Sequence, residues 1–338
     1  MIPKLKPIAA MSLIAGAALI ILALAPLLGQ GIPPLDALLH PFSGDSEASI
    51  FWQIRMPRVL SGFFAGAALA ISGMAFQSVF RNPLTTESTL GVSSGAAFGA
   101  ALQTRIGLAP AIIGGVSSDC VFAFAGALLS VGLVFGLSRL RKGLSSTGML
   151  LAGVAVGAFF SSLILAVQSS SDFFDSYRLL RWLMGGMASA DYWTAAALLI
   201  SIIPCAAVTA FNWRGLDLLA TGEDIAASRG VGVGKLRALL IIGASLTVGG
   251  AVSLCGPIGF IGLVAPHICR MLVGHGHRLL IPATLLMGGT MLVACDAVAR
   301  LWTVPAELPS GAVTALVGAP FFIWLLLKME SPSDEDEP

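Results

Sequence analysis

The sequence predicts an all-α, polytopic membrane protein: one transmembrane domain of about ten spanning helices. Three observations carry that expectation. Of 338 residues, 56% are hydrophobic and only 11% are charged, so the chain lacks the polar surface to coat a water-facing globule. Mean hydropathy is +0.90. Apolar runs of about 20 residues, the length that crosses a hydrocarbon core, recur from end to end. The 39 glycines fit as well, because small residues let membrane helices approach closely. A soluble enzyme, a nucleic-acid binder and a disulfide scaffold are excluded, and a net charge of +1 points to no polyanionic partner.

The first span, 8–28, follows Lys4 and Lys6. Its basic start, apolar core and Ala23-Leu24-Ala25 run are signal-peptide features, but the core is too long for an h-region and more spans follow. It reads as an uncleaved helix. The others are 57–80, 88–104, 120–138, 148–168, 192–211, 236–255, 256–273, 279–299 and 310–328. The third is rich in Gly and Ser, and the eighth is short. Residues 172–187 are too charged to span and aromatic enough to lie at an interface. The acidic tail, 331–338, reads as a solvated cytoplasmic end.

Orientation follows from the basic residues. With the N-terminus in the cytoplasm, 13 of the 19 Lys and Arg fall inside. Arg55, Arg58, Arg105, Arg178, Arg181 and Arg300 fall outside. The inner excess obeys the positive-inside rule and places both termini in the cytoplasm. Trp52, Trp182, Trp193, Trp213, Trp302 and Trp324 lie near span ends, where indole rings favour the headgroup level.

Ion-coupled carriers place ionisable groups at mid-membrane, and these spans are almost free of them. His267 reads as a neutral, hydrogen-bonded histidine at a Pro-broken helix, with a functional role as the alternative. Asp296 and Arg300 stand four apart and read as an exposed i,i+4 pair near the outer surface. A chain so poor in buried charge is expected to draw any energy it uses from elsewhere. Cys205, Cys255, Cys269 and Cys295 sit in or beside apolar runs as small hydrophobes, and only Cys120, near an outer loop, is placed to react.

Two motifs mislead. Residues 230–236 look like a phosphate loop, but Arg229 stands where the first Gly should be and Leu236 where the hydroxyl should be. His275-Gly276-His277 has no neighbouring carboxylate or cysteine and reads as a solvated cytoplasmic turn, so no metal site is expected. No GxSxG, HExxH or paired-carboxylate helix occurs. Nothing looks catalytic, and the chain is expected not to be an enzyme.

The remaining motifs carry a resemblance. Arg55-Met56-Pro57-Arg58 leads into Gly62, Gly66 and Gly73, then Gln77, Arg81-Asn82-Pro83-Leu84, and Leu90-Gly91-Val92-Ser93-Ser94-Gly95-Ala96. Later come Leu150-Leu151-Ala152-Gly153-Val154 and Trp182-Leu183-Met184-Gly185-Gly186. The run 219–226 continues to Gly230-Val231, and 256–267 and 306–311 complete the series. In order and spacing this resembles the permease subunits of type II ABC importers for ferric siderophores, haem and cobalamin, over residues 50–328.

The resemblance implies a homodimer in a bacterial inner membrane, two cytoplasmic ATPase subunits that hold ATP and magnesium, and an extracytoplasmic substrate-binding protein. This chain itself would bind no cofactor. Thr221, Gly222, Glu223, Asp224, Ile225, Ala226, Arg229, Gly230 and Val231 match the family's coupling helix; their mixed charged and apolar character suits a short amphipathic helix in a partner's groove, with a solvated loop as the alternative. Arg55, Arg58 and Arg300 match its docking arginines, whose planar forks suit carboxylates of the binding protein, with headgroup anchoring as the plain reading. Asn82, Leu84, Ser146 and Thr147 match its cytoplasmic gate. The path would follow the dimer interface, lined partly by the fifth and tenth spans. Met74-Ala75-Phe76-Gln77 with 80–84 resembles the iron-chelate branch, so a ferric siderophore is the expected cargo, with haem and cobalamin open. Where the family commonly has a small residue, an acid or small residue, and Pro, this chain has Thr85-Thr86-Glu87. An ion-coupled secondary transporter is the rival class.

Overall fold

Each expected span overlaps a helix. The computed structural model describes residues 6–29, 46–106, 112–113, 116–140, 146–187, 190–302 and 308–329. Among them run thirteen α-helices of six or more residues. They are α1 (Pro7–Leu24), α2 (Met56–Phe80), α3 (Val92–Ile106), α4 (Ser118–Leu140), α5 (Ser146–Ser169), α6 (Phe173–Leu183) and α7 (Tyr192–Phe211). Then follow α8 (Trp213–Thr221), α9 (Glu223–Ser228), α10 (Val233–Cys255), α11 (Ile261–Val273), α12 (His277–Trp302) and α13 (Ser310–Met329). A two-residue hairpin, Ile112–Ile113 with Val116–Ser117, is a minor ornament on an all-α fold. Seven of the described helices are long and apolar enough to cross a membrane, and α11 and α13 are shorter apolar helices. The acidic tail, 331–338, lies outside the described residues.

Helix α2 is the hub, packing against α7, α10, α11 and α12. Glycine makes that possible. A Cβ on Gly66 would lie 2.8 Å from Leu292 Cβ in α12, and one on Gly73 would lie 2.5 Å from the Gly262 carbonyl carbon in α11. Backbone therefore meets backbone on both faces, the close approach that lipid-embedded helices need because lipid offers no hydrophobic drive between them. Phe76, Leu69, Ile71 and Met74 fill the remaining space, fully buried. The periphery is apolar outward: Leu19, Phe159, Ile200 and Leu316 are exposed. Amphipathic α6 presents Phe173, Phe174 and Tyr177 outward, as its composition predicts for an interfacial helix.

The first residues of two expected spans are not α-helical. The third span starts at Val92 rather than 88, and the eighth at Ile261 rather than 256. After α2, Arg81 turns into the left-handed region at φ 50°, Pro83 forbids helix continuation, and the Asn82 Oδ1 accepts the Leu84 N–H at 2.9 Å. The chain then runs through the tight turn Glu87–Leu90. After α10, Gly256 (φ 69°) and Pro257 break the helix, and Phe260 (φ 70°) opens α11. Non-helical backbone at membrane depth is tolerated where protein buries it or where it lines a cavity.

Candidate functional site

One end of the bundle carries a buried charge cluster. Asp296 on α12 accepts from Arg58 Nε (3.0 Å) and Nη2 (3.0 Å) on α2 and from the Ser310 hydroxyl (2.6 Å) on α13. Arg300 Nε lies 3.2 Å from the same carboxylate, and its Nη groups donate to Leu28 O at 2.9 Å and Ala25 O at 3.0 Å beyond α1. The side chains of Arg58, Asp296 and Arg300 are 10%, 3% and 6% exposed. The expected Asp296–Arg300 pair exists, but it is buried rather than exposed, because α1, α2 and α13 close over it. Arg55 donates to Pro26 O at 3.3 Å. All three expected docking arginines thus tie the chain beyond α1, the start of α2 and the end of α12 together. Beside Arg58 a cavity of about 260 Å³ opens between exposed Arg178 and Arg181, next to Trp182 and Ser310.

The other end carries a bracket of two short helices. Gly222 (φ 145°) separates α8 from α9, the short helix that falls within the expected coupling segment, and Gly230 (φ 83°) follows its end. Ala226 is buried and the Val231 N–H donates back to its carbonyl at 3.0 Å, while Thr221, Glu223, Asp224, Ile225 and Arg229 are exposed. Glu223 also pairs with Arg237 of α10 at 2.5 Å. A firmly based ridge with an exposed Ile225 beside two acids suits a partner's groove.

His277 joins this bracket to the bundle. Its Nδ1 lies 2.7 Å from Asp217 Oδ1 on α8 and its Nε2 lies 3.0 Å from Ser78 Oγ in the last turn of α2. The expected solvated turn is corrected here: α8 supplies the carboxylate that the neighbouring sequence lacks, and His277 is buried, whereas His275 is exposed. Among the described residues no group of three or more His, Cys, Asp or Glu could hold a metal ion. Half-buried His267 stands edge-on to Phe321 of α13, with ring centroids 6.2 Å apart. The five cysteines are unpaired, Cys120 included.

Between the two ends lies a trough. A cavity of about 370 Å³ is lined by Ser93 and Ser94 of α3, Ser161 and Gln168 of α5, and Pro257. A second, of about 380 Å³, shares Ser93 and Pro257 and continues to Leu84, Glu87, Phe260 and Phe322. Of the expected gate residues, Asn82 shapes the turn above and Leu84 lines this second cavity. Ser146 and Thr147 open α5, but their side chains lie outside the described set.

Stacked apolar helices around a hydroxyl-lined trough, with opposite ends built for different contacts, define a multi-pass membrane transport subunit. Residues 14–328 match the FecCD transport family. The vitamin B12 import system permease protein BtuC of Klebsiella pneumoniae subsp. pneumoniae is 40% identical over 301 residues, 88% of this chain and 87% of that protein. The BtuC protein of Salmonella choleraesuis is 42% identical over 277 residues, 82% of this chain and 83% of its own length. Among solved structures, an inward-facing metal-chelate type ABC transporter matches with a TM-score of 0.82 at 32% identity, covering 94% of this chain and 99% of that one. PsaBC from Streptococcus pneumoniae shares the fold alone, with a TM-score of 0.54 at 14% identity over 88% of this chain and 99% of that one. The chain belongs to the FecCD transport family, and it is an ABC importer permease of the metal-chelate and vitamin B12 type.

Proposed function

We propose that this permease imports a corrinoid, vitamin B12 or a close relative, as one half of a homodimer driven by two ATPase subunits and fed by an extracytoplasmic binding protein. The single observation that carries the cargo is the 40% identity to a vitamin B12 permease across 88% of the chain. The iron-chelate reading of Met74-Ala75-Phe76-Gln77 is the second candidate. The positive-inside count assigns the α8–α9 bracket to the cytoplasm, where its exposed Ile225 and acids would seat in the ATPase, and the Arg58 cluster to the outside.

The geometry supports a route for the stroke. Closure of the ATPase pair would push the bracket; Asp217 would pull His277; and Ser78 would carry the shift to the last turn of α2, directly above Asn82 and Leu84. Binding-protein carboxylates would approach Arg58 through the mouth between Arg178 and Arg181, since Arg58 and Arg300 themselves are held by Asp296. Cargo would pass along the trough. The chain contributes path, gate and coupling, and ATP chemistry stays on the partner.

Uptake of labelled cobalamin, haem and a ferric siderophore, compared in cells with and without this gene, tests the cargo. Selective loss of cobalamin uptake is expected. Selective loss of the siderophore with cobalamin uptake intact would transfer the protein to the iron-chelate reading.

A further inference from the structure

A cavity of about 550 Å³, at the end of the bundle that the positive-inside count assigns to the cytoplasm, carries charge that the transport route leaves unused. It opens where the last turns of α2 and α11 meet α8 and the turn into α12, and Arg81, Arg270, His267, His275 and His277 line it. The trough leads there. Leu84 and Leu263 line the trough's second cavity, while Pro83 and His267, one turn on from Leu263 along α11, line this one. Phe322 walls the former, and its neighbour Phe321 stands edge-on to His267. The cavity is thus the trough's next chamber, beside the turn that Asn82 shapes.

Its chemistry differs from that of the trough. The two trough cavities have no Arg, Lys or His among their lining residues. Here two guanidiniums, which stay charged throughout the physiological pH range, line one chamber that has no carboxylate among its lining residues. Arg270 donates through Nη1 to Gln77 Oε1, and Gln77 Nε2 donates to Gly262 O at 3.2 Å, so a neutral acceptor fixes the fork in the wall. The other N–H groups of Arg270, and the side chain of exposed Arg81, have no partner among the described residues. Asp217, the acid of α8, is taken up by the ring and backbone N–H of His277. Arg81 also sits at φ 50°, a left-handed conformation that Gly or Asn adopts at lower cost, so an arginine occupies this position against the preference of the backbone.

We infer that this chamber is the inner vestibule of the path, and that Arg270 and Arg81 take the phosphodiester of the departing cargo and draw it past the gate. This rests on the corrinoid reading, since cobalamin carries one phosphodiester, on its nucleotide arm. Planar guanidinium forks suit phosphate oxygens, and the rings of His267 and His275 add N–H donors. A trough without cations that leads to a chamber with two sets a potential that falls inward for an anionic group. A cavity of this volume holds a fragment the size of the arm rather than a whole corrinoid.

The test uses the complete importer in proteoliposomes at saturating binding protein. The probes are cyanocobalamin and dicyanocobinamide, the corrinoid that lacks the phosphate-bearing arm. Arg270→Gln keeps a polar side chain and removes the charge, and it should lower the turnover ratio of cyanocobalamin to cobinamide about tenfold. Arg81→Gln, at an exposed position, should lower it about threefold, and this variant tests the inference even where Arg270→Gln fails to assemble. Arg270→Lys keeps the charge without the fork and should recover part of the ratio. A ratio unchanged or raised in the Gln variants overturns the inference and leaves the corrinoid reading standing. Equal slowing of both probes does the same, because it is the outcome if the arginines meet an acid of the ATPase or a lipid headgroup instead. If wild type transports neither corrinoid, the corrinoid reading falls and the inference falls with it.

Discussion

Replacing Asp296 by Asn is expected to destabilise the fold more than any other single polar change in the bundle. The carboxylate grips Arg58 through two bonds of 3.0 Å and lies 3.2 Å from Arg300, with all three side chains at most 10% exposed. An amide takes away the carboxylate that two buried cations share. Removing one partner of a buried pair costs about 3–5 kcal/mol. Arg300 keeps the carbonyls of Ala25 and Leu28, so the total should stay within that range rather than double it. Ser310→Ala supplies the internal scale, because it removes only a 2.6 Å hydrogen bond to the same oxygen and should cost about 1–3 kcal/mol. Denaturant unfolding of the full chain in neutral detergent, followed by tryptophan fluorescence, reads both. An Asp296→Asn midpoint no lower than that of Ser310→Ala would refute the reasoning, because it would mean that water already solvates the two arginines.

Other expectations follow from the same coordinates. Gly73→Ala forces α2 and α11 apart, since the new Cβ would lie 2.5 Å from the Gly262 carbonyl carbon, and should cost about 1–3 kcal/mol in the same unfolding assay. Asp191 caps α7 by accepting the Thr194 N–H and hydroxyl at 2.7 Å each, and these bonds hold its carboxyl below the usual range. Asp191→Ala should cost about 1 kcal/mol at neutral pH. Because the folded pKa is depressed, that contribution is present above the unfolded value and is lost as pH falls through the folded one. The wild-type advantage should therefore fade below about pH 4, checked by melting both proteins across pH. His277→Ala breaks the link from Asp217 to Ser78. ATP hydrolysed per cargo molecule in proteoliposomes should rise severalfold while binding-protein docking, read by pull-down, stays intact.

The long helices were legible because apolar run length is a one-dimensional signal. Residues 192–211 coincide with α7, whose cap Asp191 is the polar residue just before the run. A short helix within residues 221–231 was legible as a mixed polar and apolar stretch, whereas the preceding α8 and the angle at Gly222 depend on backbone geometry that no residue pattern announces. Pairings across the fold were hidden. Spacing put Asp296 and Arg300 on one helix face, but nothing local says that Arg58, 238 positions from Asp296, closes over that face. His277 read as a turn residue because its partner Asp217 is 60 positions away. Glu87 read as a departure from a familial Pro, and only the doubling back after Arg81 carries it against Gly262. An isolated acid between two apolar runs was the available signal.

Import by the purified parts tests the central claim most directly. The permease is reconstituted in proteoliposomes with its ATPase inside and loaded binding protein outside, and labelled cobalamin accumulation is followed with and without ATP, at fixed and collapsed ion gradients. Accumulation that requires ATP and the binding protein and ignores a protonophore is the expected result. Accumulation driven by an ion gradient without ATP would contradict it.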